Sequence, residues 1–283
     1  MELSVYFKRK LKLISNEGER LSKMILEGIN ITRWFGGLCA LKEVHFSIEA
    51  GEILGLIGPN GAGKTTLINV ITGYFPPNRG RIQYDGKEIV GLPPHIINKL
   101  GISRTFQIVR IFPKLTVLDN VRSGLVDRRQ RPPWRVALES IIKSPDVQTV
   151  GVAGEKRGLE LLEFVGLTEY RDELAENLPF AYSKRLEIAR ALATNPKILL
   201  LDEPSSGLNP KEQNDQVAII RRINEQGITI LIVEHVMKVI MDISHRILVL
   251  HYGEKIAEGT PEEIYKNTRV IEAYLGSEAH AQR

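Results

Sequence analysis

Gly58-Pro59-Asn60-Gly61-Ala62-Gly63-Lys64-Thr65-Thr66 has the glycine spacing and the Lys-Thr ending of a phosphate-binding loop. Its glycines let the backbone curl until successive N–H groups point at one anion. They do so at the start of a helix whose dipole favours negative charge. Lys64 has the reach to the β- and γ-phosphates of a nucleotide, and the Thr65 hydroxyl can ligate Mg²⁺. Further along, ILLLDEP (198–204) ends an aliphatic run on two carboxylates. Asp202 stands where an α/β fold places ligand groups and can hold Mg²⁺ through water. Glu203 beside it can orient or deprotonate a water that attacks phosphate. Taken alone, the first motif could be an ordinary glycine-rich turn and the second a capped strand end. Together they supply the two halves of one phosphate chemistry.

The elements that must position these groups can be read from the pattern around them. GEILGLIGP is a dense apolar run ending in glycine and proline, the texture of a buried central strand. KTTLINVITGY after the loop has helical spacing. ILEGINITRWF and LKEVHFSIEA alternate enough for two antiparallel strands, and RIQYDGKEIV carries an Asp-Gly turn between strand-like halves. Over residues 112–176 the texture changes. LTVLDNVRSGL and EKRGLELLEFVGL are helical, with the Arg/Pro-rich DRRQRPPWR between them as a surface connection. Strand patterns return in KILLLDEP, ITILIVEH and RILVLHYGEKIAEG, separated by the helical KEQNDQVAIIRRINEQ. Strands alternating with helices predict an α/β core on a parallel sheet, with an antiparallel β subdomain and a helical insert. The expected divisions are an extension over 1–23, the core over 24–111 and 177–276, the helical subdomain over 112–176, and a tail over 277–283.

Composition narrows the classes. At 43% hydrophobic and 25% charged residues, the 283-residue chain can form a real core. No apolar run approaches the ~20 residues of a membrane-spanning helix, so a membrane role is expected to come through a partner. The N-terminus lacks the uninterrupted apolar stretch of a cleavable signal. The lone Cys39 leaves no intramolecular disulfide and no multi-cysteine metal site, which suits a reducing cytosol. Residues 1–23 hold six basic and three acidic side chains, so they carry +3 of the formal +4. The remainder offers no diffuse basic surface, and nucleic acid is not an expected partner. The basic segment itself reads as an upstream extension before Met24, as a loose solvated stretch, or as a contact with anionic lipid.

With both motifs in order, the chain resembles the nucleotide-binding subunit of an ABC transporter over residues 25–276. The resemblance implies a P-loop NTPase fold, ATP and Mg²⁺ as cofactors, and a working dimer of two ATPases. It puts Gly58–Thr65 at Walker A and Leu199–Glu203 at Walker B. Gln107 falls at the Q-loop glutamine, which senses the metal and water and faces the membrane partner. His235 falls at the switch histidine that contacts the γ-phosphate, and Phe35 (or its neighbour Trp34) at the aromatic that stacks on adenine. Ser205, Ser206, Gly207, Leu208 and Asn209 form the D-loop, with Asn209 where many members have Asp. GISRTFQIVRIFPKLTVLDNV, EPSSGLNP and VIEAYLG narrow the resemblance to the ATPases of branched-chain amino-acid importers, the longer of the two in each system. That implies a second ATPase, two permeases and an extracytoplasmic binding protein as partners, at the cytoplasmic face of the membrane. Urea-type import and lipopolysaccharide export share much of this texture. An ABC ATPase of translation or DNA repair and a binding-only regulatory cassette are the readings from other classes.

One element departs from the family pattern. Leu178-Pro179-Phe180-Ala181-Tyr182 stands where the family writes LSGGQ, the signature that acts on the partner's ATP. Pro179 removes both a hydroxyl and an N–H. Phe180 and Ala181 replace the glycines that admit a close phosphate, although Ala181 keeps a usable N–H if its φ is negative. Each lost polar contact to a triphosphate costs about 1–3 kcal/mol, so the expectation is a heterodimer with unequal sites; the alternative is a signature that the family tolerates, with normal function.

Overall fold

The computed structural model of the chain describes residues 24–125 and 145–281. The basic segment 1–23 and the Arg/Pro-rich connection 127–135 lie outside the described residues. The chain opens with β1 (Met24–Phe35) and β2 (Leu38–Glu49), then β3 (Ile53–Ile57) runs into the glycine-rich loop and helix α1 (Lys64–Ile71). β4 (Arg79–Tyr84), β5 (Lys87–Glu88), α2 (Pro94–Leu100) and β6 (Ile102–Arg104) follow. The helical subdomain holds α3 (Val117–Gly124), α4 (Pro145–Val165) and two short 3-10 turns. Then come α5 (Phe180–Ala193), β7 (Ile198–Asp202), α6 (Pro210–Glu225), β8 (Thr229–Val233) and α7 (Met237–Ile243). β9 (Arg246–His251), β10 (Glu254–Gly259), α8 (Pro261–Tyr265) and α9 (Thr268–Ala281) complete the described chain.

Two sheets result. One is antiparallel, in the order β2-β1-β4-β5; the other runs β10-β9-β3-β8-β7-β6, and its strands from β9 to β6 are parallel. The aliphatic runs are unbroken because both faces of each parallel strand are buried. Leu54 and Leu56 join the core shared with the antiparallel sheet and α1, while Ile53 and Ile57 face the helices on the other side. Leu200 and Leu201, Leu231 and Ile232, and Leu248 and Val249 divide the same way. Parallel registry of β3, β7 and β8 brings their C-terminal ends together, with Asp202 level with Val233. The chemistry-bearing loops all leave the sheet from that edge.

Two readings of the sequence change in detail. RILVLHYGEKIAEG is a hairpin of two antiparallel strands, with β10 as the sheet's edge. The last helix also crosses the expected boundary at 276 and runs to Ala281, so most of the expected tail is helical.

Candidate active site

The loop from Gly58 to Gly63 joins β3 to α1 under tight steric control. Gly58 sits at φ +152°, where an added Cβ would lie 2.1 Å from the Leu250 carbonyl. Gly63, at φ +102°, starts α1 with no side-chain cap, leaving first-turn amides for an anion. The buried Lys64 ammonium curls back, donating to the carbonyls of Gly58 at 2.6 Å and Pro59 at 3.0 Å. Burial lowers its pKa, and the carboxylates of Glu203 and Asp202 oppose that shift.

A cavity of about 460 Å³ opens over this loop, lined by Asn60, Gly61, Ala62, Gly63, Lys64, Thr65 and Thr66. Phe35, Gln107, Glu203 and His235 border it too, so residues separated by 200 positions meet at one mouth. Phe35, and not Trp34, lines the cavity. The Arg33 guanidinium lies 4.8 Å from its ring centre and Phe75 meets it edge-on at 5.2 Å. Leu38, Cys39, Ala40 and Tyr252 complete the lining, and nothing in their sequence context singles them out.

Glu203 follows the last residue of β7 in a left-handed turn, φ +52°, a strained conformation for a non-glycine residue. Besides a bond from the Ser206 amide to its carbonyl at 3.2 Å, three longer-range contacts hold it there. Its N–H donates to Val233 at 2.9 Å, its carbonyl accepts from the buried Lys184 ammonium at 2.8 Å, and one carboxylate oxygen meets His235 Nε2 at 2.7 Å. The strained turn points a carboxylate at the cavity and pairs it with a histidine, a geometry suited to taking a proton from water. Asp202 lies deeper. Arg104 approaches one of its oxygens at 3.5 Å, while Oδ1 is buried with no hydrogen-bond partner among the described residues. Burial holds the Asp202 carboxyl above its ordinary value, against the pull of Arg104. A buried carboxylate oxygen left over in this way is what a divalent cation would satisfy, so the residues fit Mg²⁺.

Helix α5 ties this machinery together, and sequence reasoning missed its part. Lys184 holds the Glu203 carbonyl, and Glu187 accepts from the amides of Phe106 at 3.1 Å and Arg110 at 3.3 Å, on either side of Gln107. Glu234 was missed as well: its carboxylate accepts from the amides of Ser205 at 2.6 Å and His235 at 3.3 Å. In the Ser205–Asn209 segment, Asn209 forms a capping box with Glu212 at the start of α6. A local helix-capping role is thus visible for the residue that replaces the family's Asp. Leu178, Pro179, Phe180, Ala181 and Tyr182 do not line the cavity. Pro179 sits at the N-cap of α5 without a side-chain cap. Phe180 is half exposed beside Gly207, and Ala181 lies in the helix at negative φ.

The Glu187 pair with the loop makes a pH-dependent prediction. Burial raises the Glu187 pKa, and the two amide hydrogen bonds oppose the shift. A carboxyl with a raised folded-state value holds its proton more tightly folded than unfolded, so ionisation weakens the fold as pH rises past ~4. Glu187→Gln keeps an oxygen for both amides without the buried charge. It is expected to melt ~2–4 °C above the parent chain near neutral pH. The two melting curves should converge below ~pH 4, as thermal unfolding followed by circular dichroism will show.

A family described as "ABC transporter" matches residues 41–206, and one described as "Branched-chain amino acid ATP-binding cassette transporter" matches 254–280. The chain is 42% identical to the high-affinity branched-chain amino acid transport ATP-binding protein BraF of Pseudomonas aeruginosa, over 90% of this chain and 99% of that one. It is 41% identical to the corresponding LivG protein of Escherichia coli over the same shares. Among solved structures, a nucleotide-free ATP-binding cassette from an ABC transporter superposes with a TM-score of 0.76 at 32% identity. It covers 89% of this chain and 98% of that chain. The ADP conformation of an ATP-binding cassette matches with the same TM-score at 33% identity, covering 89% and 99%. The chain belongs to the ABC transporter family, as one of its ATP-hydrolysing cassettes.

Proposed function

We propose that the chain is the ATPase subunit of an importer for branched-chain or other hydrophobic amino acids, held by permeases at the cytoplasmic face of the membrane. The observation that carries the hydrolytic part of the reading is the 2.7 Å contact between Glu203 and His235 at the mouth of the phosphate-binding cavity, and the likeness to branched-chain amino acid transport proteins supports the import part. The Glu203 carboxylate takes a proton from the attacking water as its oxygen bonds to the γ-phosphorus and ADP departs. His235 fixes the carboxylate and faces the γ-phosphate, Lys64 neutralises the β- and γ-oxygens, and Phe35 supports the base. Thr65, Gln107 and Asp202 are the residues that would hold Mg²⁺, which supplies charge neutralisation across the phosphates when bound. Exposed Ile108 and Phe112, just past Gln107, support this loop as the permease contact.

Pro179 favours the unequal-site arrangement. The signature segment of this chain offers helix-start amides but no hydroxyl at the position of Pro179, so the site it completes on a second, different ATPase binds ATP and turns it over slowly. The site on this chain's Lys64, Asp202, Glu203 and His235 does the faster work. The remaining expected partner is an extracytoplasmic solute-binding protein. The test is uptake into proteoliposomes carrying the whole complex with ATP inside. Leucine accumulation supports the reading, and accumulation of urea without leucine moves it to the urea-type alternative. Recovery of the chain with ribosomes or DNA instead of permeases would end the transport reading altogether.

A further inference from the structure

Two of the hairpins among the described residues invite comparison. β4 and β5 are joined by Asp85-Gly86 with φ +50° and +71°, and β9 and β10 by Tyr252-Gly253 with φ +46° and +80°. Both are two-residue turns that demand positive φ at each position, a demand met at low cost by Asn, Asp or Gly. The first hairpin obeys that preference. The second puts a bulky aromatic in the left-handed region, where the Cβ is crowded by its own backbone. Packing does not account for the choice, because Tyr252 is 73% exposed. The ring lies on the wall of the nucleotide cavity, which it shares with Phe35 and the phosphate-binding loop.

The turn is also held in place from both sides. Gly253 donates to the carbonyl of Ala62 in the phosphate loop at 3.0 Å and accepts from the Lys42 amide of β2 at 2.8 Å. A side chain at Gly253 would strike the Ala40 carbonyl, with its Cβ at 2.8 Å. The neighbouring His251 ring lies 4.2 Å from that of Tyr252. The aromatic is thus strained, exposed and tethered to the loop that binds phosphate. Strained residues of this kind cluster at active sites and ligand clamps.

The structure assigns Tyr252 a positioning role, as a second aromatic wall for the adenine and ribose of ATP, in the same cavity as Phe35. The assignment rests on the cavity being the ATP site. It extends that reading to a residue which contributes nothing to the phosphates.

The experiment compares binding of MgATP and of inorganic tripolyphosphate, which lacks base and sugar, to the isolated full-length chain by calorimetry. Tyr252→Ala is expected to weaken MgATP about tenfold, in the range of base-on-aromatic stacking, and to leave tripolyphosphate within twofold. Tyr252→Phe should bind both ligands like the parent. Tyr252→Asn, which suits the left-handed turn, should lose the same ATP affinity while melting no lower than the parent. Equal losses for ATP and tripolyphosphate would overturn the assignment, since the defect would then lie in the phosphate loop. Unchanged affinity in the isolated chain with a defect confined to the assembled complex would also overturn it, placing the ring at a subunit contact. Lys64→Ala, run in parallel, reports on the cavity itself. If that variant still binds both ligands, the underlying site reading fails first and takes the assignment with it.

Discussion

Replacing Glu203 with glutamine is expected to lower steady-state ATP hydrolysis by the assembled complex ~10²–10⁴-fold, the usual worth of a positioned general base. The change is nearly isosteric, so the side chain can still meet His235, and the left-handed turn keeps its bonds to Val233 and Lys184. What disappears is the capacity to accept a proton. ATP affinity should therefore stay within about threefold, and the ATP-bound complex should accumulate. Phosphate release assays alongside equilibrium binding measure both effects. The same variant separates the two composite sites. If hydrolysis barely falls, while the equivalent change in the partner ATPase abolishes it, the faster site lies on the partner and the proposed order is reversed.

Lys184→Met carries the second largest expected effect, and it tests a residue that touches no substrate. The Lys184 ammonium is buried, its pKa lowered by that burial and partly restored by Glu234, Glu187, Glu203 and Asp202. Its bond to the Glu203 carbonyl braces the turn that aims the carboxylate. Methionine fills similar volume but leaves that carbonyl with the Ser206 amide, at 3.2 Å, and without its charged donor, and it removes a cation from among four carboxylates. Loss of a hydrogen bond from a charged donor is worth ~1.5–3 kcal/mol, which as transition-state energy is about 10–150-fold in kcat. KM should move little, and Lys184→Arg should recover part of the rate. A kcat within twofold of the parent would show that the turn holds without its brace.

The elements that build the site were legible because their physics is local. A glycine-rich loop between an apolar strand and a helix, and an aliphatic run ending on Asp202 and Glu203, can be recognised in single windows of sequence. The parallel strands were legible for a related reason, since burial on both faces forbids polar residues along the run. Lys184, Glu187 and Glu234 were not legible. Each acts through a main-chain atom far away in sequence, and a hydrogen bond to a backbone amide or carbonyl leaves no residue pattern at the receiving end. Tyr252 hid for the opposite reason. Its Tyr-Gly pair lies inside a stretch readable as continuous strand, and only the positive φ at both positions exposes the turn. Choosing Phe35 over Trp34 depended on how irregular pairing of β1 with β2 turns neighbouring side chains, and the registry shifts there between Arg33 and Trp34.

Helix α5 spans 14 residues, or about 21 Å at the usual rise. Its first turn carries the segment that the proposed function sets against a neighbouring subunit's ATP. Lys184 grips the turn of Glu203, Glu187 grips the loop of Gln107, and Arg190 binds the Arg110 carbonyl. A rod fastened at so many points transmits displacement without dividing it. In the proposed assembly, a push from the membrane side on the Gln107 loop, a change at this subunit's own catalytic turn, and the fit of the signature against the neighbour's nucleotide would then be one mechanical event. The stiffness sets the size of the coupling, and linkage makes it reciprocal: the free energy by which one of these engagements would strengthen another is the free energy returned to it.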